Sequence, residues 1–148
     1  MKPTLTEKPS YIPITRREVI LQGDLVYEDT SYIVRVYDGY KTDGGSLPRL
    51  SWTFLGITPF SPSCVFAFFL HDFLYQSQLL TRRTSDGLLY TVLSIPPRCN
   101  FVQRWLIWSH VRLYGWIPWR NKTPRTITEG RKFGEVIRKR HLHRSAIK

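Results

Sequence analysis

The chain has 148 residues, of which 42% are apolar and 14% aromatic, so we expect one domain with a ring-rich hydrophobic core. Its two cysteines, Cys64 and Cys99, lack the spacing of zinc ligands or of a disulfide framework, so the sequence indicates neither class. The net charge of +11 is uneven, because residues 121–148 contain nine Lys or Arg and only two Glu.

The sequence contains no segment that is typical of membrane insertion or secretion. No unbroken apolar run approaches the about 20 residues that a transmembrane helix needs, and the first residues lack an apolar secretion signal. We therefore expect a soluble protein, made in the cytosol, without a transmembrane segment.

The distribution of prolines and charges predicts three regions. Pro3, Pro9 and Pro13, together with the absence of periodicity, indicate that residues 1–15 form an extended arm that lies on another surface. Residues 16–120 are predicted to be a single globular α+β domain. Residues 121–148 are predicted to be a basic tail with one short amphipathic turn around residues 133–137.

The residues from Glu18 to Thr42 predict a small antiparallel sheet. Three runs of strand-forming residues are separated by turn signals at Gln22-Gly23 and at residues 28–31. Asp38-Gly39 is typical of a two-residue hairpin turn, since glycine readily adopts the positive φ that such a turn requires. This sheet or hairpin is expected to pack on a core of three helices.

Capping residues locate the three predicted helices. Ser61, followed by Pro62, is a suitable start for the first helix, which continues to Gln76. Thr84 or Ser85 is the predicted N-cap of the second helix, which ends before Pro96-Pro97. Asn100 is the predicted N-cap of the third helix, which covers residues 101–114 and stops at Gly115.

The first helix carries two ionisable residues in an apolar run. His71 and Asp72 stand between residues 64–70, which are all apolar, and the apolar residues 73–75. Burying an imidazole and a carboxylate is unfavourable by roughly several kcal/mol unless each group finds a hydrogen-bond partner. A short connection makes the first two helices antiparallel neighbours, so Asp86 is the expected partner of His71, with Asp43 next.

These residues define a candidate site with two interpretations. The catalytic candidates are His71, Asp72, Asp86 and Asp43, and the substrate-binding candidates are Ser46, Tyr75 and Arg82. The loop from Asp43 to Arg49 is expected to pack against the second helix and the His71 face, with Asp43 held by backbone N–H groups, Arg82 or Arg83. The alternative is a polar network that only stabilises the core.

Three blocks in the sequence resemble a family of small phage and prophage proteins of unknown function. The blocks TDGGSLPR, HDFLY and RRTSDGLL fit the patterns T-D-x-x-S-x-P, H-D-x-x-Y and R-x-x-x-D, and the resemblance covers residues 24–93. It implies a phage context, with synthesis in the host cytoplasm and a place in the virion as one further location. It implies no particular chemistry or cofactor.

A weaker resemblance links the first two helices to secreted phospholipases A2. That family also has a glycine-rich cation loop, an H-D-x-C-Y helix, and an aspartate from an antiparallel helix. The resemblance implies that His71 is a general base oriented by Asp86, and that Asp72 and the loop carbonyls bind calcium. Leu74 stands where that family has cysteine, and the disulfide framework and the spacing of the calcium loop are also absent.

Two hypotheses for the function follow from these patterns. The first is a hydrolase, with metal assistance as an option, that acts on a lipid or cell-envelope substrate. The second is a non-enzymatic virion component, in the tail or capsid, that binds other virion proteins or copies of itself through its arm and basic tail. The cluster Arg138, Lys139 and Arg140 further predicts non-specific, salt-sensitive binding to nucleic acid.

We predict that metal binding is weak or absent, and we assign no metal ligand. Asp43, Asp72 and loop carbonyls are hard oxygen ligands that suit calcium or magnesium, but two carboxylates are few for a calcium site. Calorimetry with millimolar calcium or magnesium should give no heat and no thermal stabilisation. Heat that disappears in Asp72→Asn would contradict this prediction.

Overall fold

The computed structural model describes residues 1–15, 18–43, 56 and 61–139, and within them it confirms the α+β class. These residues contain seven strands and five helices. The strands are β1 (Thr4–Glu7), β2 (Ser10–Pro13), β3 (Val19–Gln22), β4 (Leu25–Glu28), β5 (Tyr32–Val36), β6 (Lys41–Thr42) and β7 (Gly134–Arg138). The helices are α1 (Val65–Ser77), α2 (Arg82–Val92), α3 (Phe101–Tyr114), α4 (Trp116–Arg120) and α5 (Pro124–Arg131).

The strands form two antiparallel sheets. The larger sheet has the order β1-β4-β5-β7, with Tyr27 opposite Val34 and Val34 opposite Val136. The smaller sheet has the order β2-β3-β6, with Leu21 opposite Tyr11. All neighbouring strands in both sheets run antiparallel, as the alternating strand pattern predicts.

Helix α1 lies at the centre of the molecule. It contacts β5, β6, α2, α4 and α5, and ten of its thirteen residues are buried. The apolar side chains of β4 and β5, including Leu25, Tyr27 and Val34, join the same hydrophobic core as Phe68 and Phe73 of α1. A helix that is apolar on nearly all faces has no solvent side, so its burial is the expected consequence of its sequence.

Helix α1 starts later than its sequence predicted. Residues 61–64 form a turn in which the Ser61 carbonyl accepts hydrogen bonds from the N–H groups of Cys64 and Val65, at 2.9 and 3.0 Å. The N-cap is Cys64, whose side chain makes no capping hydrogen bond. Ser61 therefore begins the turn that leads into the helix, and the prediction that it caps the helix was wrong.

Helix α2 starts earlier than predicted, and α3 starts where it was predicted. The side chain of Thr81 accepts a hydrogen bond from the N–H of Thr84, so Thr81 is the N-cap and Asp86 lies beyond the first turn of α2. In α3 the side chain of Asn100 accepts from the N–H of Gln103, and the side chain of Gln103 accepts from the N–H of Asn100. This reciprocal pair confirms the predicted start.

The N-terminal fifteen residues belong to the sheets. β1 pairs with β4, and β2 pairs with β3 in an unbroken register from Ser10 to Pro13. The extended conformation that the prolines indicated is correct, but the surface that receives the segment is the chain's own sheets. The predicted boundary of an arm at residue 15 therefore does not separate these residues from the domain.

Part of the predicted basic tail also belongs to the fold. Residues 124–131 form α5, which packs on α1, and residues 134–138 form β7 at the edge of the larger sheet. The amphipathic turn predicted around residues 133–137 was wrong, because pairing with β5 makes this segment a strand. Only residues 140–148 of the predicted tail lie outside the described residues.

Two further predictions differ from the structure or lie beyond it. The turn at Asp38-Gly39 forms, with Gly39 at φ +81°, but it joins β5 of one sheet to β6 of the other. It is therefore not the turn of a paired hairpin. The predicted loop beyond Asp43, with Ser46, and the predicted helical turn within residues 50–60 lie outside the described residues, apart from Gly56.

We predict that Gly134→Ala lowers the free energy of unfolding by about 1–3 kcal/mol, because an added methyl group overpacks the core at this point. A Cβ there would overlap the Arg35 carbonyl and lie 2.7 Å from the Phe73 ring. Denaturant unfolding measures the change.

The matched control is Gly87→Ala in α2, where a Cβ meets no atom within 4 Å. This helical, exposed position should gain about 0.5–1 kcal/mol from the lower backbone entropy of alanine. Equal effects of the two substitutions would show that the close contact of β7 with α1 does not contribute to stability.

Candidate functional site

A pocket of about 380 Å³ opens beside α1. Its walls come from β6, α1, α3 and α4 and from the segments next to them. The lining residues are Glu18, Tyr40, Lys41, Thr42, Asp43, Phe68, His71, Asp72, Tyr75, Gln76, His110, Val111, Tyr114, Gly115, Pro118 and Lys122. The volume is within the range of about 300–1,000 Å³ that is usual for small-molecule sites.

His71 and Asp86 form a hydrogen-bonded pair at the wall of this pocket. His71 Nε2 lies 3.1 Å from Asp86 Oδ1, and the residues are 5% and 0% exposed. Neighbouring antiparallel helices bring them together, since His71 lies in the middle of α1 and Asp86 in the first half of α2. The prediction that His71 is buried against a carboxylate, with Asp86 as the partner, is confirmed.

Asp86 has further partners from two helices. The Tyr75 hydroxyl donates to Asp86 Oδ1 at 2.6 Å, and Arg112 Nη1 of α3 donates to Asp86 Oδ2 at 2.6 Å. Arg82, one turn before Asp86 on α2, lies 3.7 Å from the same Oδ2 and donates to the Arg112 carbonyl at 3.2 Å. Both carboxylate oxygens are thus occupied, as a fully buried carboxylate requires.

These contacts keep Asp86 ionised. Burial alone would raise the pKa of Asp86, but hydrogen bonds from His71, Tyr75 and Arg112 favour the carboxylate and hold its pKa below the usual value. The same surroundings act in the opposite sense on Tyr75, where burial and the bond to Asp86 raise the pKa of the hydroxyl. Tyr75 therefore remains a hydrogen-bond donor at neutral pH.

The carboxylate of Asp86 fixes the tautomer of His71. An ionised carboxylate accepts a hydrogen bond, so neutral His71 carries its proton on Nε2 and keeps a lone pair on Nδ1. Nδ1 lies 4.0 Å from Asp72 Oδ1, on the side where both residues line the pocket. The Tyr75 ring packs against the imidazole with a centroid distance of 4.1 Å, which restricts its rotation.

Asp72 has a very different environment. Its side chain is 24% exposed, and it accepts a hydrogen bond from the Thr42 hydroxyl of β6. Burial raises the pKa of Asp72 to about 6, and Asp43 adds to the rise, while His71, Thr42 and Lys122 partly oppose it. A carboxyl that titrates near pH 6 can exchange protons under physiological conditions.

The structure brings some of the predicted site residues together and separates others. His71, Asp72, Tyr75 and Asp43 line the pocket, whereas Asp86 lies behind His71. Arg82 binds Asp86 and the α3 backbone and does not line the pocket within the described part of the chain. Ser46 and the other residues of the predicted loop after Asp43, 44–49, lie outside the described residues. The predicted packing of that loop against the second helix therefore stays a prediction.

Three residues of the site escaped the sequence interpretation. Arg112 and Lys122 come from the third helix and the predicted tail, and no local pattern linked them to His71. Gly115 lies so close to Tyr75 that an added Cβ would be 2.5 Å from the Tyr75 hydroxyl. The glycine was recognised as a helix stop, but its small size also allows Tyr75 to reach Asp86.

The predicted nucleic-acid cluster is partly used within the fold. Lys139 Nζ donates to Glu28 Oε1 at 2.5 Å and to the Asp29 carbonyl at 2.7 Å. The guanidinium of Arg138 lies over the Tyr32 ring, 5.8 Å from its centroid. Arg140 lies outside the described residues. Lys139 therefore has an internal partner and is not a free cation for phosphate.

The described residues contain neither a cluster of metal ligands nor a helix that could span a membrane. Among these residues, no group of three or more His, Cys, Asp or Glu side chains could hold a metal ion. None of their helices combines the length and the apolar character needed to cross a bilayer. The calorimetric prediction made from the sequence stays a prediction.

The described residues combine an α+β fold with a buried His–Asp pair beside a pocket. The model of a family described as a protein of unknown function, DUF1353, matches residues 19–111, which is more than half of the chain. The chain therefore belongs to this family. Comparison with curated proteins gave no match. Comparison with solved structures also gave none.

We predict that Asp72→Asn stabilises the protein at neutral pH. Since the folded state raises the pKa of Asp72 from 3.8 to about 6, the folded protein binds the extra proton between these values. The stability of the unsubstituted protein therefore falls as the pH rises from about 4 to 6. The advantage of the variant in unfolding free energy should grow by about 2 kcal/mol over this interval.

Denaturant unfolding at pH 4, 5, 6 and 7.5 measures this difference. Glu129→Gln removes an exposed carboxylate that pairs with Arg125 on α5, and its effect should stay within about 0.5 kcal/mol at each pH. A difference between Asp72→Asn and the unsubstituted protein that does not change with pH would show that Asp72 is not buried against its surroundings as described.

Proposed function

We propose that the protein is a hydrolase in which His71 is the general base that activates water against an acyl ester of a lipid or cell-envelope substrate. The observation that carries the proposal is the geometry of His71: Nε2 is bound to the ionised Asp86, and Nδ1 stands at the pocket beside Asp72. A general base needs a fixed lone pair within reach of the substrate site.

In the proposed reaction a water molecule in the pocket attacks the acyl carbon and transfers a proton to His71 Nδ1. The imidazolium is stabilised by Asp86, which itself stays ionised because Arg112 and Tyr75 bind it. Collapse of the tetrahedral intermediate breaks the ester bond, and Nδ1 returns the proton to the leaving alkoxide. A carboxylic acid and an alcohol are the products.

The pocket walls suit an amphipathic substrate. Phe68, Val111 and Pro118 provide apolar contacts, whereas Lys41 and Lys122 bring positive charge to the same pocket. A cation near the reacting carbonyl stabilises the negative charge that develops in the transition state. An acyl chain with an anionic or polar head satisfies both parts of the lining.

The resemblance to secreted phospholipases A2 supports the same chemistry. In both cases the H-D-x-x-Y pattern lies on a helix, and an aspartate from an antiparallel helix orients the histidine. In this chain Tyr75 binds the orienting aspartate as well. The support is by analogy, since the disulfide framework and the cysteine at the position of Leu74 are absent.

The phage or prophage setting is part of the proposal, with synthesis in the host cytoplasm. A structural role in the virion was hypothesised to use the arm and the basic tail. Strands β1 and β2 contain eight of the fifteen residues of the arm, and α5 and β7 contain thirteen of the 28 residues of the tail. These residues take part in the fold, so they are less available to neighbouring subunits. This weakens the support for the virion role and favours the hydrolase.

The test is turnover of soluble acyl esters and of lipid vesicles by the full chain and by His71→Ala. We expect the substitution to lower kcat by about 10²–10⁴-fold, the usual contribution of a general base. The fold should survive, because Asp86 keeps Arg112 and Tyr75 as partners. Thermal unfolding checks that.

Added imidazole should restore part of the activity of His71→Ala, since it can enter the space left by the side chain. Tyr75→Phe keeps the ring but removes the hydroxyl, so we expect a smaller loss, about tenfold, from a less restrained Asp86. Equal turnover by His71→Ala and the unsubstituted chain would refute the proposal. So would the absence of turnover of every ester and lipid tested.

A further inference from the structure

Helix α3 exposes a large apolar surface. Of its fourteen residues, only Ile107 is buried. Its exposed apolar residues are Phe101, Val102, Trp105, Leu106, Leu113 and Tyr114, with exposures from 40% to 66%. Contiguous apolar patches of this kind are uncommon on monomeric proteins and mark surfaces that bind something.

Five of the six exposed apolar residues of α3 share one face of the helix, and Tyr114 lies outside it. At about 100° per residue, Phe101, Val102, Trp105, Leu106 and Leu113 fall within an arc of about 140°. Ser109 and Arg112 are the two polar residues inside this arc, and the Arg112 side chain is bound to Asp86. Ile107 and Val111 lie on the opposite side, where α3 packs on the rest of the protein. We call the exposed arc the apolar face.

The apolar face borders the pocket that contains His71. His110 lies about 40° from Leu106 around the helix, and it lines the pocket together with Tyr114 and with Val111 of the packed side. Helix α4 continues both surfaces, since Trp116 and Ile117 are exposed at 48% and 44% and Pro118 lines the pocket. A flat object that covers the apolar face would therefore also lie at the edge of the pocket.

The segment that carries the apolar face has positive charge and no negative charge. From Gly87 to Thr128 the sequence contains no Asp or Glu. The same segment contains six cations, of which Arg112 and Arg125 pair with Asp86 and Glu129. The other four are Arg98, Arg104, Arg120 and Lys122. Arg120 stays beside the apolar residues, with its guanidinium 5.6 Å from the centre of the Trp116 ring. The complement of this surface is apolar and anionic.

We infer that the apolar face of α3, extended by Trp116 and Ile117 of α4, binds the surface of an anionic lipid bilayer and holds the His71 pocket against it. The inference rests on the proposed lipid hydrolysis and names the physical form of the substrate. Helices with Trp, Phe and Leu on one side and Lys or Arg around them bind in the headgroup region. Trp side chains favour that region because their ring is apolar while its N–H group can donate a hydrogen bond.

A second copy of the chain is a poorer occupant of this face. A two-fold interface built on α3 and α4 would bring together two copies of Arg98, Arg104, Arg120 and Lys122, with no Asp or Glu in the same segment of the sequence. Like charges at close distance oppose such pairing, whereas an anionic headgroup layer attracts both the rings and the cations. Docking on the bilayer also gives a lipid a short path to the pocket.

The test is co-sedimentation of the full chain with vesicles of phosphatidylglycerol or of phosphatidylcholine at low and high salt. We expect binding to the anionic vesicles that is at least about tenfold tighter than to the zwitterionic ones and that weakens with salt. The fluorescence of Trp105 and Trp116 should shift to shorter wavelength, and lipids brominated on their acyl chains should quench it.

The variants Leu106→Glu and Leu113→Glu place a negative charge on the apolar face, and each should lower vesicle binding about tenfold or more. Ile137→Glu is the matched control, because Ile137 of β7 is 47% exposed and lies on another element. It should leave binding unchanged. If a glutamate variant fails to fold, loss of the brominated-lipid quenching in the double variant Trp105→Phe/Trp116→Phe replaces it as the measurement.

His71→Ala should bind vesicles as the unsubstituted chain does, which separates failure of the docking surface from failure of the catalytic proposal. No binding to anionic vesicles at low salt would overturn the inference. It would also be overturned by binding that survives both glutamate variants. A dimer in light scattering that Leu113→Glu dissociates would assign the face to a second copy, and the inference would be wrong.

Discussion

The structure of the site depends on one buried carboxylate. Asp86 has no exposed surface, yet it stays ionised because an imidazole, a phenol and a guanidinium bind its two oxygens. These partners come from α1 and α3, so the charge of Asp86 joins three helices at one point. Removing any one partner leaves Asp86 with the other two, so the loss should stay below the about 3–5 kcal/mol that is typical of a buried charge left without compensation. The packing of α3, and with it the exposed apolar face, is therefore coupled to the electrostatics of His71.

Two aspartates of the site differ in protonation because their environments differ. Asp86 accepts hydrogen bonds from strong donors and has a lowered pKa, whereas Asp72 is buried with weaker compensation and has a pKa of about 6. Two neighbouring carboxyl groups with different pKa values are a common arrangement at catalytic sites. A core that served only stability would gain from an uncharged residue at position 72. The raised pKa of Asp72 means that its ionised form lowers the stability of the fold at neutral pH.

Local signals in the sequence predicted local structure well. The cap at Asn100, the strands from Val19 to Val36 and the contact of His71 with Asp86 all depend on residues close in sequence or on one short helical connection. The contacts that sequence reasoning missed are long-range. Arg112 reaches Asp86 across two helices, and β7 was read as a tail because GEVIR in isolation carries no signal for its partner β5. A lone short strand is not stable by itself, so only the edge offered by β5 determines its conformation.

The pairing of β5 with β7 also constrains how the protein is made. These strands are far apart in the sequence, and β5 leaves the ribosome long before β7 does. Until then β5 has an unpaired edge, and contacts between distant segments form slowly in any case. Such an edge is a template for pairing with other chains. The nascent protein is therefore most exposed to aggregation while the helices of the site are already synthesised, and a chaperone that shields the β5 edge would act during this interval.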